Sequence, residues 1–146
     1  MSKEIYPKFL VFMQFVLIGF MVFFSHGILS SIPAIIIFLF GVSIGFWALN
    51  HNKRGNFNIQ PKLKEGCTLV MTGAYRYIRH PMYTSVITMM FAVLVSTPTL
   101  LEFIFFVSLI VILVLKAKRE EALWCGHNEA YLEYQTKTKL FIPYIL

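Results

Sequence analysis

The sequence predicts an all-α integral membrane bundle of about four transmembrane helices, with its polar groups gathered at one end. Three observations predict it. Of 146 residues, 58% are hydrophobic and 14% charged, whereas a soluble domain carries about a quarter charged residues. The apolar residues fall in four blocks, each near the ~20 residues a helix needs to cross the hydrocarbon core. The Lys and Arg residues collect at one set of block ends and avoid the other.

The first helix is expected over about residues 9–25. Lys3 and Lys8 precede it as they would a signal peptide, but Ser25-His26-Gly27 lacks a small-x-small cleavage pattern and the run exceeds a usual h-region, so it reads as uncleaved. The second helix, 32–49, contains Gly41-x-x-x-Gly45, a spacing that admits another helix close to its backbone. Packing within the chain is the reading, and a dimer seam the alternative. The third, 81–97, and the fourth, 99–117, form a tight hairpin turned at Ser96-Thr97-Pro98. Glu102 falls in the first turn of the fourth, where the helix dipole favours an acid, and is assigned no chemistry.

Beyond the membrane the fourth helix continues into a C-terminal helical tail, 118–146, ending in an amphipathic helix with Tyr131 and Tyr134 on one face. Asn128 is placed to cap or bend the join, since Asn tolerates left-handed backbone. The closing Phe-Ile-Pro-Tyr-Ile-Leu is apolar enough for the interface. No repeat interrupts the chain, and 1–146 reads as a single domain.

Charge sets the orientation. Connections 25–31 and 96–99 hold no Lys or Arg, while Lys53, Arg54, Lys62, Lys64, Arg76, Arg79, Lys116, Lys118 and Arg119 lie at the other ends with Lys3 and Lys8. The positive-inside rule makes both termini and the loop 50–80 cytosolic. The net charge of +6 then faces anionic head groups of the bilayer, which accounts for the basic residues with no nucleic acid. Cys67 and Cys125 fall on that side, where thiols stay reduced, and neither has metal-ligand spacing. His26 and His51, at helix ends, read as interfacial, and Trp47 and Trp124 as aromatic-belt residues.

The loop 50–80 is long for a mere connection, and its interleaved Leu69, Val70, Tyr75, Tyr77 and Ile78 argue against disorder. It is expected to fold against the helix ends as one wall of a pocket. Its densest polar and aromatic run, Thr72-Gly-Ala-Tyr-Arg-Tyr-Ile-Arg-His-Pro-Met-Tyr83, lies where the chain re-enters the membrane. Pro81 suits a first helical turn, leaving His80 near the cap with backbone donors that attract an anion. The plainer alternative is that Arg76, Arg79 and His80 only grip lipid phosphates. Against it stands Glu120-Glu121 at the cytosolic exit of the partner helix, beside those donors in the hairpin. One site then offers donors for an anion, carboxylates for an ammonium, and tyrosine rings for a sulfonium or adenine.

Gly73-x-Tyr75-x-x-x-Arg79-His80-Pro81-x-Tyr83, the helical hairpin, Glu120-Glu121, Tyr131-x-x-Tyr134 and Ile142-Pro143 together resemble the isoprenylcysteine carboxyl methyltransferases and their phospholipid-methyltransferase relatives, over about residues 58–143. The resemblance implies an all-helical membrane enzyme that binds S-adenosylmethionine in a cytosolic pocket. Carried over by position, it implies cofactor contacts from Gln60, Cys67, Thr68, Leu69, Val70, Tyr75, His80, Pro81, Met82 and Tyr83, with Glu120 or Glu121 holding the amino group. It also implies a basic residue, Lys116 or Arg119, facing the acceptor. The chain departs from the pattern at Ala74, Ser85 and His127-Asn128, and its Glu-Glu to Tyr131 distance is one residue short. Those departures leave the register of the glutamates and of the two basic residues open.

The resemblance implies methyl transfer to a lipophilic small-molecule or prenylated acceptor. A carboxylate acceptor, which ordinarily titrates at about pH 4, needs no general base; an amine or thiol would need His80, Tyr83 or a glutamate to take a proton. Two alternatives are an NADPH-dependent membrane reductase of the sterol type and a small non-catalytic membrane scaffold.

Overall fold

The computed structural model describes residues 5–52 and 68–143. In chain order these form helix α1 (Ile5–Phe24), a 3-10 turn (Ile28–Ser30), α2 (Ile32–His51), a second 3-10 turn (Gly73–Arg76), α3 (Pro81–Ser96), α4 (Leu100–His127) and α5 (Ala130–Lys137). No strand occurs among the described residues, only an isolated parallel bridge between Ile78 and Lys139. The fold is an all-α membrane bundle.

Helices α1, α2 and α4, of 20, 20 and 28 residues, are long and apolar enough to cross a membrane. Helix α3 has 16 residues, or about 24 Å at ~1.5 Å per residue, and is shorter. Pro33 and Pro81 sit in first turns, where a missing N–H costs no helical bond. Phe12, Phe23, Ile36, Phe46 and Leu100 point outward, as expected where the surrounding solvent is hydrocarbon.

Helix α2 packs on α3, and α1 on α4. At the first seam Gly41 and Gly45 are buried against α3 of the same chain, so the small-residue spacing is spent within the molecule. A Cβ on Gly41 would lie 2.9 Å from the Met89 backbone nitrogen, and one on Gly45 2.6 Å from Ser85 Oγ. Ser85 Oγ donates to the Gly41 carbonyl at 2.7 Å. At the second seam Leu17 and Met21 join Leu109, Leu113 and Ala117 in a buried cluster that includes Met90, Val93 and Phe106 from the hairpin.

The outer ends are tied by the hairpin turn. Thr97 Oγ1 accepts from the His26 N–H at 2.8 Å, and Thr99 Oγ1 caps α4 by accepting from the Glu102 N–H at 3.2 Å. The Glu102 side chain is buried, with neither carboxylate oxygen hydrogen-bonded among the described residues. A dipole preference explains its place in the first turn but not that burial.

Helix α4 runs unbroken to His127, and Asn128 bends the join to α5 through extended backbone, φ −146°. Its carboxamide oxygen accepts from the Ala130 N–H at 3.0 Å, so the bend needs no left-handed conformation. The chain after α5 returns to the segment before α3. The Arg79 N–H donates to the Lys139 carbonyl at 2.8 Å, the Lys139 N–H to Tyr77 at 3.2 Å, and the His80 N–H to Leu140 at 3.2 Å. Phe141 is thereby buried rather than left at an interface.

Candidate functional site

Where α3 begins and α4 emerges, a cavity of about 390 Å³ opens. It draws side chains from α1 (Gln14, Phe15, Ile18), the end of α2 (Asn52), the connecting segment (Thr68, Leu69, Val70, Tyr75, Arg79, His80), α3 (Pro81, Met82, Tyr83, Val86), α4 (Lys116, Glu120, Trp124) and α5 (Tyr131, Tyr134). The expected pocket wall from the long connection is present in its described part.

Local backbone explains how the connection reaches the site. Gly73 adopts φ +60°, and a Cβ there would overlap the His51 ring. Only glycine allows the turn to close on the end of α2, and Tyr75 follows from that turn into the cavity. His51 Nδ1 lies 3.0 Å from the Trp47 carbonyl, so this histidine packs against the turn as well as ending α2.

His80 forms the polar centre. Its ring stacks on Tyr83 at 5.4 Å between centroids and 5° between planes, and Phe141 closes over the pair edge-on. Nδ1 lies 3.4 Å from a Glu120 oxygen and Nε2 3.4 Å from a Glu121 oxygen. The second approach lacks hydrogen-bond geometry, leaving Nε2 buried without a hydrogen-bond partner among the described residues. Burial disfavours the imidazolium, but the two carboxylates outweigh it and hold the His80 pKa above its ordinary value. Burial, with the charge of Glu120, pushes the Tyr75 phenol up to about 12, and burial also raises Tyr131 and Tyr134. These phenols remain neutral hydrogen-bonding and stacking groups near neutral pH.

The adjacent glutamates do different things. Glu120 faces the cavity and accepts the Tyr83 hydroxyl at 2.5 Å. Glu121 turns away to the Arg79 guanidinium, which also donates to the Thr138 carbonyl and, at 3.3 Å, to the Gln135 carbonyl. Arg79 therefore ties α4 to the end of α5, and the lipid-phosphate reading does not hold for it. The backbone donors expected at the start of α3 are also largely engaged. The Tyr83 and Thr84 N–H groups return to the His80 carbonyl, and the His80 N–H goes to Leu140.

The basic residues divide similarly. Lys116 is buried on the cavity wall, its Nζ 5.0 Å from the Tyr83 ring centroid, and donates to Gln14 Oε1. Arg119 lies over the Tyr6 ring, 5.6 Å away, and does not line the cavity.

Of the residues the sequence singles out, Thr68, Leu69, Val70, Tyr75, Arg79, His80, Pro81, Met82, Tyr83, Lys116 and Glu120 line one hollow, while Glu121 and Arg119 do not line it. Gln60 and Cys67 fall outside the described residues. Sequence reasoning missed Gln14, Phe15, Ile18, Asn52 and Val86, and it gave Trp124 no part in the site. That indole stacks on Tyr131 at 5.8 Å and 14° inside the cavity instead of serving only as a belt residue.

A helical membrane bundle with a mostly apolar hollow, a carboxylate and an ammonium one helical turn apart on one wall, and stacked rings beside them suits an amphipathic ligand. Comparison with known families identifies the class more closely. The sequence pattern of the isoprenylcysteine carboxyl methyltransferase (ICMT) family matches residues 34–124, more than half of the chain, and the chain belongs to that family of membrane methyltransferases. A search of curated proteins finds no match. Helix α1 and the Tyr131–Tyr134 face of α5 lie outside the matched residues.

Proposed function

We propose that this chain transfers a methyl group from S-adenosylmethionine to a lipophilic acceptor, the carboxylate of an isoprenylcysteine-like molecule. In this reading residues 1–146 are one methyltransferase-like domain in the bilayer, with both termini in the cytosol. The observation that carries it is the pairing of Glu120 and Lys116 one helical turn apart on one cavity wall, in a chain of the ICMT family.

The residues present suit the cofactor's chemistry. Glu120 offers a carboxylate to an ammonium, and Tyr75, Tyr83 and Trp124 offer ring faces to adenine and to a sulfonium. His80 lines the hollow beside Glu120, its ring stacked on Tyr83, and so holds the carboxylate and the ring that a ligand would meet. Bound there, S-adenosylmethionine supplies an electrophilic methyl carbon on sulfur.

The chain's own contribution is placement and exclusion of water. A carboxylate acceptor is already ionised at neutral pH, so no base is required. Lys116 would draw the acceptor oxygen to the cavity, and Phe15, Ile18 and Val86 would strip its water and receive its apolar tail. Phe15 is 54% exposed on the outside of the bundle while lining the cavity, which supports admission of the tail sideways from the bilayer.

Calorimetry of detergent-purified protein with S-adenosylhomocysteine and NADPH tests the reading. Saturable binding of the first alone supports it; binding of NADPH alone overturns it in favour of a reductase, and binding of neither in favour of a scaffold. His80→Ala and Glu120→Ala should each weaken cofactor binding while the far-UV circular dichroism stays helical. Unchanged affinity in both variants would refute the pocket. The acceptor is then sought by activity over prenylated cysteine analogues, phospholipid amines and small thiols.

A further inference from the structure

We infer that Gln14 is a positioning residue that aims Lys116 at an anionic group of the acceptor without neutralising it, making α1 part of the acceptor site. This rests on the proposed function and assigns a role to a helix outside the residues that match the family. Gln14 is 7% exposed in an otherwise apolar stretch of α1, where a polar side chain needs a reason. Its Oε1 accepts from Lys116 Nζ across 102 residues of sequence, and both line the cavity.

The surroundings of that ammonium carry the inference. Lys116 is 1% exposed, and among the described residues no carboxylate lies within ion-pair distance of it. Its polar neighbours are a carboxamide oxygen and the face of Tyr83, while Glu120, one turn on, already accepts the Tyr83 hydroxyl. An ammonium has three donors, and Gln14 takes one. The carboxamide satisfies one N–H without supplying an opposite charge, so an anionic ligand is the partner that would stabilise the buried ammonium. Phe15, Ile18 and Val86 beside it fit the ligand's hydrocarbon. A glutamate at position 14 would hold the lysine as firmly but cancel that charge, which a carboxamide does not.

The test is equilibrium binding to protein in nanodiscs, using a farnesylated N-acetylcysteine and its carboxamide analogue, with S-adenosylhomocysteine titrated in the same preparations. Wild type should prefer the carboxylate. Gln14→Leu should lose about tenfold of carboxylate affinity, and Gln14→Glu about a hundredfold, converting ~1.5–3 kcal/mol for a hydrogen bond to a charged group. Carboxamide and S-adenosylhomocysteine affinities should stay within about twofold, well below that range. A merely structural tie between α1 and α4 predicts the reverse, since Gln14→Glu would make a salt bridge and keep affinity. Carboxylate binding undiminished in Gln14→Glu, or no carboxylate preference in wild type, overturns the inference. If S-adenosylhomocysteine fails to bind while the preference and its dependence on Gln14 persist, the methyl-transfer reading falls and the anion site stands.

Discussion

The two helix seams of the bundle close in opposite ways. Between α2 and α3, glycines at 41 and 45 let Met89 and Ser85 approach the α2 backbone closely, the Ser85 hydroxyl satisfied by the Gly41 carbonyl. Between α1 and α4, Leu17, Met21, Leu109 and Leu113 pack in the membrane half, but toward the other end a glutamine meets a lysine and the helices border a cavity. In lipid there is little hydrophobic drive to bring helices together, so close packing and polar contacts decide where they touch. The first seam uses close packing and holds; the second spends its polar groups on a hollow. The difference assigns stability to one pair and ligand contact to the other.

The largest expected effect is at the brace between Arg79 and Glu121, at the edge of the hollow. Glu121→Ala leaves the Arg79 guanidinium without its carboxylate at a site where both side chains are 13% exposed. Loss of one partner of such a pair costs about 3–5 kcal/mol, so the thermal midpoint in detergent should drop sharply. Glu120→Gln, one residue away but facing the cavity, should leave the midpoint nearly unchanged and weaken S-adenosylhomocysteine by about 10–100-fold. If both variants unfold alike, brace and ligand wall are not separable.

The closed seam is broken next. Gly41→Val puts a branched side chain against the Met89 backbone nitrogen, where a Cβ alone would sit 2.9 Å away. Overpacking of this kind costs about 1–3 kcal/mol and should part α2 from α3, as seen in faster proteolysis and a lower midpoint. Gly19→Val, on α1 with nothing within 4 Å of its Cβ, serves as the control and should be neutral. Equal losses from both would show that helix propensity, not the approach of α3, sets the cost.

How far the sequence could be read follows the same division. The three long apolar blocks were legible because bilayer thickness imposes a length on a spanning helix, the 16-residue α3 from its apolar run alone, and His80 and Tyr83 because Pro81 marks the turn that carries them. The choice between Glu120 and Glu121 was not, since adjacent residues on a helix differ by about 100° in direction and only the packed rotation of α4 selects one. Gln14 escaped notice because its partner lies 102 residues away. The available signal was its being polar inside an apolar span. The place of Trp124 in the cavity was not legible because an indole near a membrane surface suits a belt as well as a stack. Asn128 was expected to bend the chain by a left-handed residue, and its side chain does so from extended backbone.

The smallest effect probes the hollow's electrostatics without disturbing either seam. His80 faces Glu120 and Glu121 from α4, Tyr83 from α3 and Phe141 from the tail, and the carboxylates hold its pKa above the ordinary value of about 6.5. Since the folded value is the higher one, the imidazolium's contribution to stability is complete below about 6.5 and disappears as pH rises through the raised midpoint. Histidine NMR should find that midpoint above 6.5 in wild type and lower in Glu120→Gln, where burial is less opposed. A ligand ammonium seated on Glu120 should lower the midpoint too, because the cation replaces part of the attraction that kept His80 protonated. Linkage then requires S-adenosylhomocysteine to bind more tightly as pH rises across the free-state midpoint, with proton release on binding. Proton uptake instead would mean that the ligand meets His80 with an anion, placing its carboxylate where its ammonium is proposed to lie.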